Sequence, residues 1–352
     1  MPAEIVRAEI AEQPAALAEL TQRWDDLVGT VAGVVPHPLR GVGLVARGSS
    51  DFVAVHARYL VELTTGLPVT MLAPSLWTRY DLQRDLGGWL IIALSQSGQT
   101  PEVVTVAERT RAAGARVVAI TNDASSDLAR TAHAHLLLGT TVERAVPATK
   151  TVTTQLLTVA AVATACAGSD VPAWLGGPDD RATLGEQVAA VVDDTAVVLA
   201  AIDRCERAAH LVQVGRTLTY AAALEGALKM KETCGRPVEG FSSADFLHGP
   251  AAVGGPRTAV IAYNWPGPTA ADVVESVTAA ADLGSSMIAV GPADAWRDAP
   301  PRLEVPVAPD IPAGLAVIPL VVRGQQLAIE LSVRLGLDPD SPAGLSKVTE
   351  TT

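Results

Sequence analysis

Short apolar runs rich in β-branched residues recur along the chain, at Leu44-Val45, Trp89 to Leu94, Arg116 to Thr121, Leu211 to Val214, Val260 to Tyr263 and Ser286 to Val290, with longer Ala/Leu-rich stretches between them. Within these runs apolar residues follow one another instead of alternating with polar ones. That is the pattern of parallel strands covered on both faces, and the intervening stretches are long enough to be crossover helices. The chain is therefore expected to form a doubly wound, three-layer αβα structure on parallel sheets. Helix punctuation agrees. Thr100 and Pro101 read as N-cap and first turn of a helix stopped by Gly114, and Thr269 precedes a helix stopped by Gly284. A leading helix is expected around Pro14 to Val35, and a long amphipathic run from Arg181 to Arg207 follows a Gly/Pro-rich linker at Gly168 to Pro178.

The pattern repeats. Leu44 corresponds to Leu211, Ile91 to Val260 and Arg116 to Ser286, offsets of 167, 169 and 170 residues, with order and spacing kept. The chain accordingly divides into an N-terminal helical segment (1–40), a first α/β domain (41–168), a linker and connecting helix (169–207), a second α/β domain (208–337) and a tail (338–352).

Composition narrows the function. With 49% hydrophobic and 18% charged residues the chain can bury a large core, and no apolar stretch is long enough to span a bilayer. Met1 to Ala15 has acids and prolines where a signal peptide has an apolar core, so a cytoplasmic protein is expected. Cys166, Cys205 and Cys234 lie far apart with no CxxC pair, which suggests neither a disulfide framework nor a metal site. A net charge of -12 argues against nucleic acid or an acidic membrane as partner, so an anionic substrate must be held by local dipoles and a few cations.

One segment is suited to that task. Ser95-Gln-Ser-Gly-Gln-Thr100 lies between a strand and a capped helix, where exposed N–H groups and hydroxyls can cradle a phosphate, although a Ser-rich turn capping a helix would look the same. The second copy has Asn264, Trp265 and Pro266 in place of Ser95, Gln96 and Ser97, so only one half keeps the hydroxyls. In the second half, Glu225, Lys229 and Glu232 fall on one stripe of a helix, opposite Tyr220, Leu224, Ala227 and Leu228. By spacing alone this is equally a solvated salt-bridge ladder, while Lys231 falls within the apolar arc. Downstream, His248 precedes Gly-Pro at a break and reads as a structural or surface histidine as readily as a catalytic one.

These motifs together resemble the sugar isomerase (SIS) family. Leu94-Ser-Gln-Ser-Gly-Gln-Thr100 is similar to its sugar-phosphate loop, and Leu224-Glu-Gly-Ala-Leu-Lys-Met-Lys-Glu232 with His248-Gly-Pro250 resembles the isomerase domain of glucosamine-6-phosphate synthases and the SIS-type glucosamine-6-phosphate deaminases. The resemblance runs from about Gly41 to the C-terminus and implies two tandem SIS domains. It implies that Ser95, Gln96, Ser97 and Thr100 bind phosphate and that Ser49 and Ser50 contact the sugar. Val146-Pro-Ala-Thr-Lys150 resembles a segment whose backbone at Val146 and Ala148 lines the sugar site, with one N–H donor removed by Pro147. Glu232 becomes the C1/C2 proton shuttle, Lys229 its neighbouring cation and His248 the ring-opening acid/base, contributed across a homodimer interface. Leu345-Ser-Lys-Val-Thr-Glu350 resembles the family's C-terminal motif, which places Lys347 at the C1/C2 end, where a desolvated lysine can form a Schiff base, in a tail that closes the active site.

The Met-Pro start lacks the N-terminal cysteine of the synthases' amidotransferase domain, and too few residues precede Leu44 to hold that domain. The resemblance therefore favours conversion of glucosamine 6-phosphate to fructose 6-phosphate and ammonia without metal or redox cofactor. A phosphohexose isomerase, a fructosamine-6-phosphate deglycase and a non-catalytic sugar-phosphate-binding regulator share the cradle. Retention of Glu232, His248 and Lys347 together separates an enzyme from a pure sensor, which needs no proton shuttle.

Overall fold

A computed structural model describes residues 2–308 and 310–347. Its ten described strands form two all-parallel five-stranded sheets. The first contains β1 (Gly41–Val45), β2 (Val69–Met71), β3 (Trp89–Leu94), β4 (Arg116–Thr121) and β5 (Ala134–Leu137) in the order β2-β1-β3-β4-β5. The second contains β6 (His210–Gly215), β7 (Val238–Ser242), β8 (Thr258–Tyr263), β9 (Ser286–Val290) and β10 (Leu303–Val305) in the order β10-β9-β8-β6-β7. Counted within its own half, each sheet has the order second, first, third, fourth, fifth. The three repeat segments read from the sequence fall on β1/β6, β3/β8 and β4/β9, equivalent positions in the two sheets.

The described residues divide into two compact units. One holds residues 16–142 and 150–175 with the first sheet, and the other holds 2–15, 143–149 and 176–347 with the second. In the first sheet, Ile91, Ala93, Val117 and Ala119 join Val103, Val106 and Ala107 of the helix Pro101–Ala112 in one core cluster. The alternate residues Leu90, Ile92, Leu94, Val118 and Ile120 are also fully buried, which explains the absence of polar alternation. In the second sheet one face packs Val260, Ala262 and Met287 under the helix Ala270–Asp282. On the other, Gln213 and Tyr263 lie beneath the helix Tyr220–Cys234, joined by Tyr263 Oη donating to Gln213 Oε1 at 2.7 Å. A Cβ on Gly226 would come within 2.1 Å of that Gln213 oxygen, so only glycine lets the helix sit this close.

Two helical expectations need correction. The leading helix is broken at Arg23 into Gln13–Gln22 and Trp24–Ala32, and a further helix, Glu4–Ala11, precedes them. The run from Arg181 to Arg207 is two helices, Pro178–Asp193 and Ala196–Arg207. The break is taken up by buried Arg323, whose guanidinium binds the carbonyls of Val191 and Asp194 at 3.0 and 2.7 Å, at the point where the first helix runs out of donors. Burial pushes the Cys205 thiol up to about 12 and that of Cys234 to about 11, consistent with small apolar packing residues. No helix among the described residues is long and apolar enough to cross a membrane.

Candidate active site

The first unit carries the cradle. β1 and β3 are neighbours at the point where the strand order reverses, so the loops leaving their carboxyl ends flank one crevice. Two helices start there, Ser49–Thr65 and Pro101–Ala112, each presenting free N–H groups and a positive dipole end. Arg47 joins the loops through an ion pair to Glu102 at 2.8 Å. In Ser95–Thr100 the Ser95 and Thr100 hydroxyls pair at 3.0 Å, Gly98 N donates to Ser95 Oγ at 3.1 Å, and Gln99 N donates to Ser97 Oγ at 3.2 Å. Thr100 stands at the N-cap position, yet its side chain makes no capping bond. One hydroxyl of the Ser95–Thr100 pair donates to the other, which leaves the hydrogen of its partner and that of Ser97 to donate to an anion. Gly98 has a φ of +63°, and a Cβ there would meet Ser126 Oγ at 2.2 Å. Ser126, fully buried beneath the loop, was not singled out from the sequence; its place as N-cap of the helix Asp127–Thr131 is the signal that could have found it. Ser50 is buried, while Ser49, Gln96, Ser97 and Thr100 are half-buried, accessible to a ligand from solvent.

The second unit carries the charge cluster. The Ala-rich helix Tyr220–Cys234 ends at Gly235, whose φ of +61° suits the C-terminal stop. Its stripe is not a solvated ladder. Lys229 and Glu225 each expose 1% of their side chains and Glu232 exposes 23%. Lys229 Nζ donates to Glu232 at 2.5 Å and lies 3.5 Å from Glu225. Burial by itself lowers the Lys229 pKa, but the fields of Glu225 and Glu232, the Glu232 hydrogen bond and Glu143 outweigh it, so the net shift is upward. Of the expected apolar arc Ala227 is buried, but Tyr220, Leu224 and Leu228 are only half-buried and Lys231 is exposed, so most of that arc is more solvated than the charged stripe. The mutual neutralisation of the stripe is what makes the inversion tolerable.

Glu143 completes the cluster, and sequence reading missed it. Its side chain is fully buried, accepts Lys347 Nζ at 2.7 Å, and accepts the Thr149 amide at 2.9 Å. Around it the segment Glu143–Thr149 is pinned by distant residues. Glu9 accepts the Arg144 and Ala145 amides at 2.5 and 3.3 Å, and Gln325 donates to the Thr149 carbonyl at 3.3 Å. Asp340 accepts the Val146 amide through its carbonyl at 3.2 Å, while its carboxylate caps Ile5 N and Val6 N at 3.1 and 2.7 Å. The Val146 N–H is thus already taken; Val146 and Ala148 are half-buried. Lys347 is brought to the cluster, whereas Val348 to Glu350 of its motif lie outside the described residues. His248 is exposed at the end of the helix Ser243–Leu247, where Gly249 turns the chain with a φ of +130°, and makes no side-chain hydrogen bond or ion pair among the described residues.

The SIS domain profile matches residues 41–165. A solved structure from Silicibacter pomeroyi DSS-3, provisionally named a phosphosugar isomerase, is 30% identical, covers 95% of this chain with 99% of its own, and superposes with a TM-score of 0.80. The glutamine–fructose-6-phosphate aminotransferase (isomerizing) of Methanothermobacter thermautotrophicus is 29% identical over 96% of this chain, which spans 56% of that relative's length. The glucosamine-6-phosphate deaminase of Thermotoga maritima shares the fold, with 21% identity, a TM-score of 0.71, and coverage of 96% of this chain and 99% of its own.

Proposed function

The chain belongs to the SIS domain family, and from that premise we propose that it converts an amino-sugar 6-phosphate, glucosamine 6-phosphate in the first instance, to fructose 6-phosphate and ammonia. The observation that carries this reading is the charge cluster of buried Glu225, Lys229 and Glu143 with partly exposed Glu232 and Lys347 at its edge. Moving a proton needs a carboxylate that a substrate can reach, and Glu232 is such a group, partly exposed beside the buried Lys229, whereas a sensor of sugar phosphates has no use for it.

In this reading the second sheet is a second SIS domain, and the phosphate is held by Ser95, Gln96, Ser97 and Thr100, with Ser49 and Ser50 on the sugar. His248, from a partner subunit, opens the ring; its exposure and that of neighbouring Leu247 fit an interface. Glu232 removes the C2 proton from the open-chain aldose, the C1–C2 double bond forms, and charge collects on O1. Lys347, ion-paired with Glu143 at 2.7 Å, faces that charge as a cation. Glu232 returns the proton to C1 while an amino proton passes to O1, leaving a hydroxyl at C1 and an imine at C2. Water adds there, ammonia departs, and the ketose remains. Proton transfer by one positioned carboxylate contributes about 10²–10⁴-fold.

The test is ammonia release and ketose formation across a panel of 6-phosphorylated hexoses and amino sugars. Ketose formation from glucose 6-phosphate without ammonia release from any amino sugar would move the reading to phosphohexose isomerisation. Inertness towards the whole panel, with binding retained, would move it to a binding protein. The shared-site element is checked by mixing Glu232→Gln and His248→Ala chains, which restores activity only if one intact site forms in a mixed dimer.

A further inference from the structure

A second cluster of cations lies in the unit that holds the second sheet, apart from every residue assigned above. The end of the helix Ala196–Arg207 and the beginnings of β8 and β9 enclose an open cleft of about 440 Å³. It is lined by three arginines, Arg204, Arg207 and Arg257, and by Ser285 and Ser286, with no acidic residue among the lining residues. In a chain with 38 acidic and 26 basic residues, an acid-free concavity with three arginines runs against the overall charge.

The local bonding keeps this positive character available. Asp203 and Glu206, the acids on the same helix turn, are engaged by Arg334 at 2.7 and 3.1 Å. The carbonyls at the helix end, whose partial negative charge would repel an anion, are covered by Arg236, which donates to Cys205 and Ala208 at 3.0 and 3.3 Å. Arg204 is half-buried and fixed by a 2.7 Å bond to the Met287 carbonyl, so its remaining N–H groups have a set direction. Arg207 and Arg257 make no side-chain hydrogen bond or ion pair among the described residues. Ser285 is buried and its oxygen accepts the Gly255 amide at 3.0 Å, which leaves its hydrogen to donate.

We propose that this cleft is a second anion site, built for the phosphate monoester of a small metabolite. Guanidinium groups pair with phosphate oxygens in forked geometry, and the cleft is larger than inorganic phosphate requires yet within the range of small-molecule sites. The net charge disfavours a long polyanion, whose further phosphates would meet the acidic surface outside the cleft, whereas a single phosphate within about 8 Å of three arginines experiences chiefly those arginines. The site stands independently of the reaction assigned to the chain.

The experiment is calorimetric titration of the full chain with ribose 5-phosphate and glucose 6-phosphate in 0.15 M KCl, for wild type, the Arg207→Ala/Arg257→Ala double variant and Ser97→Ala. Both sites of substitution are solvent-exposed arginines, and thermal melting confirms that the double variant is folded. The expected result is that the double variant loses one binding event, with affinity there reduced about tenfold or more per guanidinium removed, while Ser97→Ala leaves that event intact. If the Ser95–Thr100 cradle proves not to bind phosphate, a single event abolished by the double variant still supports the cleft. Binding in the double variant with unchanged stoichiometry and affinity overturns the proposal, as does a wild type whose only event is removed by Ser97→Ala.

Discussion

Ser95 and Asn264 hold the same place in two sheets of one topology, and their loops differ in what they leave unsatisfied. The backbone is shared: Ser95 N bonds the Ile120 carbonyl at 3.1 Å, and Asn264 N bonds that of Val290 at 3.0 Å. In the first loop the hydroxyls bond one another and keep hydrogens for a guest. In the second the Asn264 amide donates to the carbonyls of Ala270 and Ala295 at 3.1 and 2.8 Å and accepts from Trp265 N at 3.0 Å, with Trp265 buried beside it. One side chain there makes the bonds that a ligand would make in the other half. On the proposed reading the two halves separate tasks, with recognition assigned to the unit of the first sheet and proton chemistry to the unit of the second.

The sharpest way to break this division is Glu232→Gln. Turnover is expected to fall on the order of 10²–10⁴-fold while equilibrium binding of the sugar phosphate stays nearly constant, measured on the same preparation. An active variant removes the chemistry from the second unit. Next, Ser97→Ala is expected to weaken sugar-phosphate binding by about 1.5–3 kcal/mol, one hydrogen bond to a charged group, with little change in melting temperature. Unchanged affinity would empty the cradle of its meaning. Asn264→Ala should do the opposite, costing about 1–3 kcal/mol of stability through buried carbonyls left without a donor and leaving phosphate affinity alone. A change in affinity instead would show that both loops face ligand.

The smallest effect is expected in alkali. Because the Lys229 pKa is raised in the folded state, the stability it contributes is fully present below the unfolded value, about 10.4, and is lost as pH rises through the folded one. Denaturation midpoints followed from pH 9 upward should decline, and that component of the decline should vanish in Lys229→Met. An identical alkaline profile in the variant would mean that Lys229 is not held as an ammonium.

The strand–loop–helix geometry of Ser95–Thr100 was legible in the sequence because it is local: strand, loop hydroxyls and helix start lie within a dozen residues, and the repeat supplied a contrast at Asn264 to Pro266. The helix stripe was half legible. Its spacing placed Glu225, Lys229 and Glu232 together, but periodicity does not say which side of a helix faces solvent when the charges neutralise one another, and so Lys231 was assigned to the wrong environment. Glu143 was illegible. Nothing near it in sequence marks it, and its partner Lys347 lies 204 residues away. Glu9 and Asp340 escaped for the same reason, since each acts on backbone amides far along the chain.

That reach has a kinetic side. Glu143 and the segment Glu143–Thr149 are satisfied only when the first helix and the tail at Asp340 and Lys347 have met that segment, through contacts that close loops of well over a hundred residues. Such contacts form late, after the local turns and the sheets that need only their own crossover helices. During refolding the far-ultraviolet signal should therefore return before the buried charge cluster does, and recovery of turnover should lag behind recovery of helix content.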